Sequence, residues 1–160
     1  MLRVQPELSA RALPTIYRLA IEPRARDELV AAMAKQPPWR PALMPFLFAQ
    51  VPDSAVLFPF LDGLRRQAPG MSQQETNDWI DRLARDHNWG AAYMVWTQSL
   101  APEESARIGN VFNGGFENEP SQSGFDWRFE KVPGAHASRI ESVDRNGGKS
   151  ALQVEFEDRR

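Results

Sequence analysis

No cysteine occurs anywhere in the 160 residues, and that single absence removes disulfides, cysteine-ligated zinc, iron–sulfur clusters and thiol catalysis. It leaves the compartment open, because reducing and oxidising locations both hold cysteine-free proteins. Histidine is nearly absent too. His87 and His136 stand alone, without the His-x-x-x-His or His-plus-carboxylate spacing of a metal or general-base site, and both read as solvated loop residues. Excess charge of either sign is lacking: 19 Lys+Arg against 21 Asp+Glu leave a net charge of −2, so no basic face invites nucleic acid. There is no P-loop, dinucleotide fingerprint or nucleophile elbow.

Nor is there an unbroken apolar run. The most apolar segment, Leu43 to Leu61, is interrupted by Pro45, Pro52 and Pro59 and carries Gln50, Asp53 and Ser54 at its centre. A spanning helix built from it would leave backbone groups unsatisfied, so two buried helices with a turn between them are expected, and no membrane span. Residues 1–25 hold Pro6, Pro14, Pro23 and scattered arginines instead of the apolar core of a signal peptide. A periplasmic or cell-envelope location is expected only if these residues belong to a longer exported chain. With 42% hydrophobic and 25% charged residues, the composition is that of a folded globular protein.

Two compositional shifts organise the chain. Ten of the 13 prolines lie at or before Pro69, and seven of the 10 glycines lie from Gly109 onward. Apolar spacing changes at the same place, from helical to alternating, which puts a linker over Pro102 to Asn110 and domains at 1–105 and 106–160. In the first part Arg24 to Gln36 reads as a helix opened by Pro23 and ended by Pro37-Pro38. Pro41 opens another, with Leu43, Met44, Leu47 and Phe48 on one stripe. Asp53 offers an N-cap to a third, with Val56, Leu57, Phe60, Leu61 and Leu64 inward and Pro59 bending or delaying it. Ser72-Gln73-Gln74-Glu75 is a capping box, followed by Thr76, Trp79, Ile80 and Leu83 on one face. Asp86-His87-Asn88 turns the chain into a further helix with Trp89, Tyr93, Trp96 and Leu100 on one stripe and the small Gly90, Ala91 and Ala92 easing close approach. The arginines, 16 of the 19 basic residues, alternate with acids and read as a mixed solvated surface.

The hairpin over Ser72 to Pro102, small residues facing large aromatics, resembles a tetratricopeptide-type repeat, with Ile80 where the family has Gly or Ala and no 34-residue self-similarity elsewhere. The resemblance implies a degenerate helical-repeat array whose surface serves protein partners.

After the linker the period is two. Asn110–Glu117, Phe125–Glu130, Ser138–Val143 and Ser150–Glu157 are strand candidates, and in the last Leu152, Val154 and Phe156 alternate with Gln153, Glu155 and Glu157. Asn146-Gly147-Gly148 can turn the last two into a hairpin. The ordered pieces Asn113-Gly114-Gly115-Phe116-Glu117, Gly124-Phe125-Asp126-Trp127 and Gly147-Gly148-Lys149-Ser150-Ala151-Leu152-Gln153-Val154 resemble the opening half of a carbohydrate-binding module of the galactose-binding-like superfamily. The fold class so implied is α+β: a helical-repeat array, then an incomplete antiparallel β jelly-roll-like sheet. Four strands cannot cover their own apolar face, so either the β-domain is a truncated fragment or the short sheet packs on the helices.

The resemblance also implies a structural calcium, with Glu117 giving a carboxylate, Gly115 and Lys149 backbone carbonyls and Asn146 a side-chain oxygen. For sugar it points to Trp127, whose ring could stack on a pyranose while Asp126 and Arg128 bond its hydroxyls. Phe125, Trp127 and Phe129 equally share one strand face as a core stripe would, leaving Asp126 and Arg128 as an exposed ion pair on the other. The expected function is a non-catalytic protein-interaction scaffold with a glycan-binding-like module, in cell-envelope polysaccharide handling. The alternative is a structural interaction protein whose β segment caps the helices and binds no ligand.

Overall fold

Proline decides where most helices of this chain begin. The computed structural model describes residues 6–145 and 148–157, and among them are seven α-helices and one two-stranded antiparallel sheet, an α+β protein. Helix α1 (Pro6–Ile21) starts on a proline, and α2 (Pro23–Ala34), α3 (Arg40–Gln50), α4 (Phe58–Arg65) and α7 (Pro102–Ser105) each carry one in their first two positions. There the missing N–H has no intrahelical acceptor to lose. The other two, α5 (Gln73–Arg85) and α6 (Trp89–Thr97), start without one. The chain divides into two units, Met1–Val95 and Trp96–Arg160. That division falls upstream of the compositional shift at 105/106 because Trp96 packs its ring on Phe112 and Phe125.

In the first unit α2 packs on α1 and α4, and α3 on α1 and α5. The stripe Leu43, Met44, Leu47 and Phe48 is buried, as are Thr76, Trp79, Ile80 and Leu83 behind the capping box. Burying each such large side chain contributes about 1.5–3 kcal/mol. Asp53 caps a 3-10 turn (Ser54–Leu57), its carboxylate accepting from Ala55 N at 2.8 Å, and Pro59 delays α-helical geometry until Phe58. Helix α1 runs through Pro14, which removes only one helical hydrogen bond. Two expectations need correcting. Val56 is exposed, because the 3-10 turn rotates it away from Leu57 and Phe60. Helix α6 buries Ala92, Val95 and Trp96, so Trp89 and Tyr93 fall on its flank and are exposed.

Two arginines also depart from a solvated surface. Arg82 of α5 is 7% exposed; its guanidinium donates to the carbonyls of Phe48, Val51 and Pro52, capping the end of α3, and its Nε donates to both Asp86 oxygens at 3.0 Å. Arg40 donates to Met33 O (3.0 Å), Gly70 O (2.8 Å) and the capping-box carboxylate of Glu75. Burial raises the Glu75 pKa, but Arg40 and Ser72 outweigh it and hold the group below its ordinary 4.5.

Asp86 is lowered as well. Burial opposes its ionisation, yet the Ser54 donor and Arg82 bring its pKa from 3.8 to about 2. A carboxyl with a depressed folded pKa stabilises the fold above its unfolded pKa and loses that contribution as pH falls through the folded one. The difference in unfolding midpoint between wild type and Asp86→Asn is therefore expected to be largest above pH about 4 and to close towards pH about 2. A pH-independent difference in urea titrations would show that the charge is not what Asp86 contributes.

In the second unit two of the four expected strands form. Strands β1 (Ala135–Arg145) and β2 (Gly148–Phe156) pair in register from Ala135↔Phe156 to Glu141↔Ser150, with an irregularity before Arg145↔Gly148. The turn residues Asn146 and Gly147 lie outside the described residues. His136 lies in β1 opposite Glu155 rather than in a loop, and Val154 and Phe156 share one exposed face. Segments 110–117 and 125–130 are irregular, not strands. Their backbone groups are taken by side chains, and this builds the site below.

Candidate functional site

The sequence Asn-Gly-Gly-Phe-Glu folds as a closed loop. Asn113 and Phe116 take left-handed φ values of +49° and +53°, unusual for a bulky residue such as Phe, and neither fits a strand. The Asn113 side chain locks the loop twice: Nδ2 donates to Asn118 O at 2.9 Å and Oδ1 accepts from Asn118 N at 3.2 Å. Phe116 is buried against the rings of Trp127 (centroids 4.9 Å) and Phe129 (6.5 Å). Arg139 of β1 donates to Phe116 O (2.6 Å), Glu117 O (3.3 Å) and Ser150 Oγ (2.6 Å), tying the loop to both strands.

The second loop is held in the same way. The Asp126 carboxylate accepts from Ser121 N (2.7 Å) and Trp127 N (2.8 Å), and Gln122 Oε1 accepts from Phe129 N (2.8 Å). Trp127 is half-buried, its ring on Phe116 and its Nε1 donating to Asn113 O at 3.1 Å. Arg128 is exposed and donates to Gly124 O at 3.4 Å. The residues named for sugar contact thus meet in one loop, where Asp126 and Trp127 have intramolecular partners. Phe125 turns to Trp96 instead of sharing a face with Trp127.

Beside these loops lies a cavity of about 460 Å³, lined by Glu104, Arg107, Val111 to Gly115, Glu117, Asn118 and Lys149. None of Asp126, Trp127 and Arg128 lines it. Three of the four residues named for calcium do: Gly115, Glu117 and Lys149. The fourth, Asn146, is outside the described residues.

The donor set does not fit calcium. Glu117 Oε1 accepts from Lys149 N at 2.9 Å, and the Glu117 carbonyl, with that of Phe116, already serves the Arg139 guanidinium. Calcium needs six to eight oxygens, usually several of them carboxylate. Among the described residues no group of three or more His, Asp or Glu side chains converges. Arg107 and Lys149 add two cations to the same wall. What the cavity offers is hydrogen-bonding groups of both kinds beside the apolar Val111 and Phe112.

A second cavity, about 340 Å³, lies in the first unit between Pro37, Pro38, Pro41 and Pro69, over Arg40 and Glu75. Those two charges are spent on each other and on backbone groups, so it presents mainly proline rings.

Sequence reasoning missed Arg139, which the alternation of β1 treats as one more polar strand residue, and Arg107, which reads as linker. The signal available for Arg139 was its pairing with Leu152 on the apolar face, where a cation needs acceptors. Comparison with protein-family models, with curated proteins and with solved structures finds no match. No helix among the described residues is long and apolar enough to cross a membrane.

Proposed function

We propose that this chain is a non-catalytic interaction protein, with a tetratricopeptide-like helical array for a protein partner and a glycan-binding module of carbohydrate-binding-module type in its second unit. The observation that carries the glycan half is the cavity: amide and carboxylate groups beside the apolar Val111 and Phe112 are what sugar hydroxyls and the C–H face of a ring bind. The exposed Trp89, Tyr93 and Met94 on α6 support a protein-contact surface. Glu75 and Asp86, the carboxyls with displaced pKa values, are each spent on structure, which supports a role without catalysis. The setting that the family resemblance implies is the handling of cell-envelope polysaccharide.

The covered face of Trp127 favours a second reading, in which the second unit binds no ligand. A glycan array with the full chain decides between them. On the first reading a polysaccharide binds, and Trp127→Ala lowers stability by about 2 kcal/mol, less than for a fully buried Trp, without removing recognition by the cavity. If the folded chain retains no polysaccharide, the second reading stands.

A further inference from the structure

We propose that the cavity of the second unit takes an acidic sugar, a hexuronic acid whose carboxylate lies between Arg107 and Lys149; this rests on the glycan reading and names its ligand class. The argument is an accounting of which polar groups are already used. Glu104 Oε2 accepts from Ala101 N, and Glu117 Oε1 from Lys149 N, so each carboxylate has one oxygen committed and one to offer a hydroxyl. The Asn113 side chain is committed to Asn118 and Asp126.

The cations differ. Among the described residues, neither the Arg107 guanidinium nor the Lys149 ammonium has an acidic partner, and both residues line the cavity. The amides of Gly114 and Gly115, also in that wall, donate to no protein acceptor among the described residues. Absence of a Cβ at these two positions lets a ligand come close to the backbone.

Three ligand classes can be weighed against this wall. A neutral sugar uses the carboxylate oxygens and leaves both cations idle. A small anion uses the cations and meets two carboxylates with nothing to give them. A uronate supplies a carboxylate to the cations and hydroxyl donors to Glu104 and Glu117, and so uses both sets.

The test is calorimetric titration of the full chain with an oligogalacturonate, its carboxyl-reduced neutral counterpart, and acetate. The uronate is expected to bind about 10–100-fold more tightly than the reduced form, the range of one or two charge-assisted hydrogen bonds, and more weakly as salt rises. The double variant Arg107→Gln, Lys149→Gln is expected to erase that preference while binding the neutral form as wild type does. Its unfolding midpoint should be unchanged, since neither side chain holds the fold together.

Equal binding of uronate and neutral forms overturns the proposal and leaves the glycan reading in place. Acetate binding as tightly as the uronate overturns it in favour of a small-anion site. Binding of none of the three by the folded chain overturns the proposal, and an empty glycan array beside it overturns the glycan reading as well.

Discussion

Replacing Arg82 by Met is expected to lower the stability of the helical unit by about 3 kcal/mol or more, the cost of leaving several carbonyls without the donor of a buried guanidinium, each about 1–3 kcal/mol. The guanidinium is the common partner of the Phe48, Val51 and Pro52 carbonyls and of Asp86. Helix α3 cannot satisfy its last carbonyls itself, and the loop after it has no ladder to join. Methionine fills much the same space and removes all the donors, so the loss reports hydrogen bonding and charge more than packing. Arg82→Lys should recover only part of the stability, because one ammonium cannot reach so many acceptors from one position. Arg85→Met is the control: exposed, with a 3.4 Å bond to Asp81 O, it should change stability by less than about 0.5 kcal/mol. Urea titration of the full chain followed by helical circular dichroism checks the series. An Arg82→Met protein as stable as Arg85→Met would show that α3 ends without help from α5.

In the second unit the largest effect is expected from Gly124→Ala. A Cβ there would lie 2.3 Å from Trp96 Cδ1 and 2.7 Å from Nε1, at a φ of +59°. Overpacking and the left-handed conformation add to about 3 kcal/mol, and Trp96 could yield only by leaving Phe112 and Phe125. Gly134→Ala separates the two causes. It has φ +80° but nothing within 4 Å of the added carbon, so only the conformational part, about 1 kcal/mol, should appear. Urea titration followed by tryptophan fluorescence reads both. Similar losses for the two variants would mean that the Trp96 contact is not the constraint.

The helices of the first unit were legible because their signals are local. A proline at a first position, an aspartate cap and the Ser72–Glu75 box need only neighbouring residues, and each lies where expected. Less legible was what closes those helices on one another. Arg40 and Arg82 act across 35 and 34 residues of sequence, and nothing in the alternation of charges separates a buried arginine from a solvated one.

The second unit shows the opposite failure. Asn113 and Asp126 occupy positions that an alternating pattern treats as polar residues of strands, and Gln122 lies between those two segments. Their side chains instead bond nearby backbone, so two apparent strands become loops, while β1 and β2, free of such competition, pair as expected. Of the residues singled out for ligands, Gly115, Glu117 and Lys149 do line a cavity, although the chemistry they bring to it differs from a calcium cage.

A synthetic peptide copying residues 104–118 would carry every side chain of that cavity except Lys149. It would carry little of its form. The left-handed bend at Phe116 is imposed from outside, by the Arg139 guanidinium on its carbonyl and by the tryptophan and phenylalanine rings that trap its own. The shape of the cavity is thus a property of the assembled hairpin and loops and cannot be excised from them.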